Sequence, residues 1–377
     1  MKRAPLAAAL LSSALGLSWQ LLTVHFNYGG NLTALFCHGS HYPVAQGLAF
    51  EHIYVFPDSG GYDGQSYHYM AHDPFDRSDI GRAVPDPWRR YPRILLPGIA
   101  HLLALGRPEW VDVSFLLANL LFLGIGAYWL AQLLSRVGVH PMFAAAYFAL
   151  PVAITSLDRM LVDLALTSLA LGFAVYLYAE SPWKLYFILA AAALCRETGF
   201  LLWAAYAIHL LWLRRYRWIV IFATALVPAV LWNAWVRSIP GGSLFFVPSI
   251  RPLWGMFQAV VHPRTYNFSA PVAAVIHALE WLQTAGILLA IALALRHMRN
   301  LGYDAIRNAC FLWACLAMLL TFNEYDDPLA GARILAPLLM FQFLEGGGLN
   351  RLPLLMVTPR VWLQLTPQAL GILRGLL

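Results

Sequence analysis

The feature that most constrains this chain is a series of long apolar runs separated by short polar turns. They cover roughly residues 4–24, 111–134, 140–157, 161–180, 183–196, 199–213, 216–237, 273–295, 303–321 and 329–345. A helix needs about 20 apolar residues to cross a hydrocarbon core of about 30 Å. In lipid, only helices and closed barrels satisfy their own backbone groups. The composition agrees: 60% of residues are hydrophobic and 12% charged, where a soluble domain carries about 25% charged residues. The runs predict an all-α, polytopic bundle of about ten spans. A shorter run, 93–106, is bounded by Pro92 and interrupted by Pro97. It reads as an interfacial or re-entrant helix closing a large polar first loop, 25–110. Residues 346–377 read as a tail following a membrane domain of residues 1–345.

The first run follows Met1-Lys2-Arg3. It is long for the core of a secretory signal and no cleavage site is evident, so it reads as an uncleaved first helix. Lys and Arg in short loops set orientation. With the N-terminus inside, thirteen basic residues face inward, the tail's Arg351, Arg360 and Arg374 among them, against six outside the first loop that face outward. Sixteen of the 19 acidic residues then fall on the outer side. Acidic residues hardly affect topology, so this skew suggests an outer face that uses carboxylates. The formal charge of +6 is scattered between apolar runs, which argues against a nucleic-acid partner. Cys37, Cys195, Cys310 and Cys315 have the spacing of neither a disulfide framework nor a zinc site. Asn31-Leu32-Thr33 and Asn267-Phe268-Ser269 match glycosylation acceptors, a weak motif.

Four outer turns pair acid with arginine. The first loop holds Gly60-Gly61-Tyr62-Asp63-Gly64-Gln65, then Ala71-His72-Asp73-Pro74-Phe75. Glycines beside a carboxylate allow a tight turn and close approach of a substrate. Asp63 is the candidate general base; the plainer reading is an Asp-Gly turn. Trp88-Arg89-Arg90-Tyr91-Pro92-Arg93 follows. Guanidinium forks suit phosphate oxygens, although Arg, Trp and Tyr also anchor ordinary lipid headgroups. The other turns are Asp158-Arg159 with Asp163, Arg196-Glu197, and Asn323-Glu324-Tyr325-Asp326-Asp327 with Arg333. Near-membrane ion pairs of this kind usually face a polar cavity. His68 and His72 are spaced as helical metal ligands are, with Asp73 next to them. No HExxH pattern accompanies them, so no metal is assigned.

The order of these features resembles the GT-C superfamily of membrane glycosyltransferases, which take sugars from polyprenyl-phosphate carriers. The closer resemblance is to bacterial proteins of cell-surface glycopolymer formation. It rests on Tyr62–Gln65, Ala71–Phe75, Arg93-Ile94-Leu95-Leu96-Pro97 and Arg196-Glu197-Thr198-Gly199. It implies an inner-membrane enzyme with a cytoplasmic N-terminus, an extracytoplasmic site and a cytoplasmic tail 346–377. The donor would be a polyprenyl-phosphate-linked sugar and the acceptor a glycan or lipid, with no cofactor required. Asp63 would be catalytic. Tyr62, Gln65, His72, Asp73, Arg89, Arg90, Arg93, Asp158, Arg159, Asp163, Arg196, Glu197, Glu324 and Arg333 would bind substrate. Larger members of the superfamily carry a soluble C-terminal domain, which is not expected here. A transporter of polyprenyl-linked sugars is the alternative; it should show repeated halves and polar residues at mid-membrane. A scaffold subunit would leave the acid–arginine turns unexplained.

Overall fold

A computed structural model describes residues 3–241, 251–296, 298 and 301–377. Lys2 and Arg299, both counted as inward-facing, lie outside the described residues. The helices that matter here are α1 (Arg3–Tyr28), α2 (Asp63–His72), α3 (Leu95–Leu103), α4 (Val111–Arg136), α5 (Pro151–Arg159), α6 (Asp163–Tyr178), α7 (Pro182–Cys195), α8 (Phe200–Trp212), α9 (Val227–Val236), α10 (Ala270–Leu295), α11 (Ala305–Leu319), α12 (Ala330–Ile334), α13 (Ala336–Glu345), α14 (Gly348–Gln364) and α15 (Thr366–Leu376). The only strand pairing among the described residues is a parallel contact of His38–Gly39 with Val55–Phe56 in the first loop. The chain is all-α.

Among the described residues, four helical stretches are long and apolar enough to cross a membrane: α1, 108–136, 216–236 and α10. The pair Pro141–Ala149 and α5, bent by 46°, raises the number to five. This identifies a membrane protein. The count of ten crossings does not emerge. α6, α7, α11 and α13 are apolar but have only 16, 14, 15 and 10 residues. Sixteen residues rise about 24 Å, short of the core thickness. Every residue of α6 from Asp163 to Val175 is buried. A helix apolar on all sides and covered on all sides is core, surrounded by other helices. The run 329–345 breaks into α12 and α13 at Leu335, and Pro337 sits in the first turn of the second piece.

Lipid offers apolar helices no gain from pairing, so small residues and buried hydrogen bonds set the contacts. Gly16 of α1 faces the side chains of Leu123 and Leu157. Ser13 donates to the Leu120 carbonyl at 3.3 Å and Gln20 to the Leu157 carbonyl at 2.9 Å. On α4, Gly126 lies against Tyr147 and Ser168, and Ser168 donates to the Phe122 carbonyl at 2.8 Å.

The expected tail is a correction. Residues 348–364 form α14, which runs antiparallel to α10. Arg296 reaches Asn350 at 3.0 Å at one end, and Arg360 reaches Glu280 at 3.1 Å at the other. α15 then packs on the end of α1 where the first loop leaves: Asn27 donates to the Gln368 carbonyl at 3.2 Å and Gln368 to Asp158 at 3.4 Å. Arg360 and Arg374 therefore belong with the first loop, not with the opposite end. Removing them from the inward set narrows the basic excess without reversing it.

Gly286 of α10 is where α14 comes closest: a Cβ there would lie 2.8 Å from Met356 Cβ and 3.2 Å from the Pro353 carbonyl. Gly286→Leu should therefore destabilise the protein by about 1–3 kcal/mol, read as a lower Tm in detergent. An unchanged Tm would mean that residues 348–364 do not pack on α10.

Candidate functional site

The first loop is built to present the end of α2. Gly61 turns the chain at a φ of +71°, a left-handed conformation that favours glycine. Gly64 sits against the backbone of Phe36 and of Arg159, where any Cβ would collide. The glycine after Asp63 thus lets α2 seat its first turn on the C-terminal end of α5. Gln65 donates to the Gly60 carbonyl at 3.1 Å, holding the loop from inside.

Asp63 occupies the first turn of α2, where the helix dipole favours a carboxylate. Its side chain makes no cap. One oxygen accepts from Arg90 Nη1 at 2.5 Å and the other from Arg333 Nη2 at 2.9 Å, with Arg93 Nη1 3.9 Å away. The turn-only reading of Asp63 is therefore set aside. Burial alone would raise its pKa; Arg90, Arg333 and Arg93 override that and hold the carboxyl well below its ordinary range.

The network continues into a closed ring. Arg333 Nη1 donates to Asp163 at 2.8 Å, and Asp163 also pairs with Arg196. Arg196 Nε lies 3.5 Å from Glu197, which takes both Nε and Nη2 of Arg93 at 2.9 and 2.7 Å. Arg93 returns to Asp63. The ring alternates three carboxylates with three guanidiniums, and Arg90 adds a fourth guanidinium on Asp63. Two tryptophans fix the arginine segment: Trp88 Nε1 donates to the Ile239 carbonyl at 2.8 Å and Trp232 Nε1 to the Tyr91 carbonyl at 2.7 Å.

The ring borders a cavity of about 460 Å³. Tyr62, Asp63, Arg89, Arg93, Arg196, Glu197, Glu324 and Arg333 line it, together with Leu316, Leu320 and Ile334. A charged wall thus meets an apolar one. Tyr62 donates to Asp327 at 2.6 Å, and the Arg333 guanidinium lies 5.1 Å above its ring. Burial keeps the phenol well above its ordinary pKa, so it serves as a neutral donor. Glu324 closes a capping box with Thr321.

Five expected site residues lie elsewhere. Gln65 serves the loop. Asp73 accepts from the backbone and hydroxyl of Ser78 at 2.6 and 2.7 Å, a turn contact. Asp158 and Arg159 pair with each other at 3.1 Å, and Arg159 also donates to Cys37, tying α5 to the loop behind the site. His72 points to Glu51 and His68. The sequence reading had Asp327 within an acid–arginine turn but gave it no role of its own, and it missed Asn233 and Arg237; all three line the cavity. Arg237 also stacks on Trp88 at 5.1 Å. It follows a long apolar run whose distance from the first loop no local pattern reveals. Arg89 and Arg237 line the cavity without a carboxylate partner among the described residues.

No family model, curated protein or solved structure matches this chain.

Arg333 neutralises two mostly buried carboxylates from different parts of the chain. Arg333→Met should cost about 3–5 kcal/mol, because both would lose a counter-charge. A fall in Tm much larger than that of Arg237→Met is the expected result. The depressed pKa of Asp63 gives a second test. Its pairing stabilises the fold above the unfolded carboxyl pKa and is lost as pH falls through the folded one. The Tm gap between wild type and Asp63→Asn should be widest near neutrality and close below about pH 4. A gap independent of pH would mean that Asp63 is not ionised in the fold.

Proposed function

We propose that this protein is a GT-C-like membrane glycosyltransferase that moves a sugar from a polyprenyl-phosphate carrier to a glycan or lipid acceptor. The observation that carries the reading is Asp63, a carboxylate held by Arg90 and Arg333 on a cavity that combines a guanidinium-rich wall with an apolar one. A sugar phosphate on an isoprenoid tail has the same two halves. The site lies at the loop end of the bundle, and the charged groups gather there, at turns and helix ends. That distribution favours an enzyme over a transporter of the same lipid. By this reading the site faces the extracytoplasmic side of a bacterial inner membrane and the N-terminus faces the cytoplasm.

The acceptor hydroxyl oxygen attacks the anomeric carbon from the face opposite the phosphate and inverts it. The bond from that carbon to the phosphate oxygen breaks, and its electron pair leaves with the phosphate. The hydroxyl proton passes to Asp63. Arg89 and Arg237, which have no carboxylate partner among the described residues, take the incoming phosphate first. Arg90 and Arg333 then stabilise the charge that develops on the leaving oxygen. As they turn toward the phosphate, their hold on Asp63 weakens and it becomes a better base.

Asp63→Asn keeps the shape of the side chain and removes the base. It should lower transfer from a radiolabelled polyprenyl-phosphate sugar by about 10²- to 10⁴-fold, with normal membrane insertion. Unchanged transfer sinks the assignment. Movement of the lipid-linked sugar across vesicles without any transfer would favour the transporter.

A further inference from the structure

A second constellation lies in the first loop, away from the cavity. Glu51 ends the turn Gln46–Glu51, His68 and His72 stand one turn apart on α2, and Asp112 sits in the first turn of α4. One ligand-capable atom from each of the four lies within 4.8 Å of the others. His68 Nε2 is 2.8 Å from Asp112 Oδ1, 3.2 Å from Glu51 Oε2 and 3.2 Å from His72 Nε2. His72 Nε2 is 2.9 Å from Glu51 Oε1. The side chains of His68, His72 and Glu51 are 0%, 2% and 7% exposed.

Hydrogen bonds alone do not account for this packing. A single N–H on His68 Nε2 can align with one acceptor, yet it faces two carboxylates and a second imidazole nitrogen. Glu51 Oε2 is buried and has no aligned hydrogen bond. Two Nε2 atoms face each other, an arrangement that needs a proton on only one of them. A cation at the centre removes all three difficulties, because four lone pairs then converge on one charge. In a tetrahedral zinc site with bonds of about 2.0–2.2 Å, neighbouring ligand atoms lie about 3.3–3.6 Å apart. The four close contacts, 2.8 to 3.2 Å, are shorter than that edge, so the side chains would spread by up to about half an ångström to admit the ion.

The surroundings of His68 are those of a ligand. Its Nδ1 lies 3.0 Å from His38 Nε2, so an Nδ1–H donated to His38 leaves the Nε2 lone pair aimed at the cluster. Metal-binding histidines are commonly oriented by such a partner. Phe36 stacks on the ring with centroids 4.1 Å apart and fixes its plane.

We propose that Glu51, His68, His72 and Asp112 form a structural zinc site. Two imidazoles and two carboxylates suit zinc, and four protein ligands close the coordination sphere as structural sites do. None of the four lines the cavity. The ion would bind the 46–51 turn, α2 and the start of α4 together, setting α2 on the bundle about 7 Å along its axis from Asp63. The inference is independent of the transferase reading.

The test is metal analysis of full-length protein, purified in detergent without a polyhistidine tag and desalted over chelating resin. Wild type should carry about one zinc per chain, and His72→Ala and Glu51→Gln should retain about tenfold less or lower. Cobalt exchanged into wild type should give the visible absorption of a four-coordinate nitrogen–oxygen site, a readout that needs no variant. Folded, monodisperse wild type with less than about a tenth of an equivalent of zinc overturns the proposal. So does a His72→Ala protein that keeps the wild-type zinc content, and so does a cobalt spectrum of six-coordinate type.

Discussion

The bridge from Arg333 to Asp63 and Asp163 is the interaction on which the rest of the site depends. Asp163 opens a helix buried along its whole length to Val175, and Asp63 opens the helix that the first loop presents. One guanidinium therefore ties the loop to the membrane core. Arg93 makes the same kind of link through Glu197. Together with Arg90 on Asp63 and Tyr62 on Asp327, these contacts hold the start of α2 at the cavity. With them, its first turn has one position.

A ring of this kind is weak evidence of stability. Taking the buried members out of water costs several kcal/mol per ion, Glu197 being half exposed, and the pairing at best offsets that. Apolar side chains of equal volume would hold the helices together at least as well. What the ring supplies is geometry. Each carboxylate has at least two guanidinium partners, and a guanidinium fork accepts few orientations. Apolar contacts between helices in lipid are permissive by comparison, since tails and side chains are alike in polarity. The arginines fix where the loop docks, and the small residues of α1 and α4 fix how closely the helices beneath it approach.

Much of this was legible in the sequence, and the failures have physical causes. The apolar runs located nearly every helix, because burial in lipid and burial in protein select the same residues. For the same reason they do not fix the number of crossings: four or five helical stretches among the described residues are long enough to cross. α6 and α7 are as apolar as spans but too short, and the composition of a run does not say whether lipid or protein surrounds it. The tail was misread because Pro353 and Pro359 in α14 interrupt an otherwise apolar stretch. At the site, the pairing of acid with arginine marked all four of the turns that meet, although the third contributes only Asp163, its Asp158 and Arg159 pairing with each other instead. Those two residues have the same local pattern as Arg196-Glu197 and differ only in which way the helix end faces. His68 and His72 were visible as a pair, but Glu51 and Asp112 complete their cluster from 17 residues before His68 and 40 residues after His72. Only the fold brings them together.

The ring also bears on the order of events under the transferase reading. A carboxylate gripped by three guanidiniums is a poor base, and the competing acceptor near a membrane surface is water. Were Asp63 free in the resting protein, it could activate a water molecule whenever a donor lipid entered. While it is held by Arg90 and Arg333, it stays weak until a phosphate draws those arginines away. The anion that departs at the end of the reaction is then the same group that unmasks the base at its start. Release of the lipid phosphate returns the arginines to Asp63 and closes the ring again. The charge pairs that make the empty site look inert are, in this account, what confines its chemistry to the interval when a donor is bound.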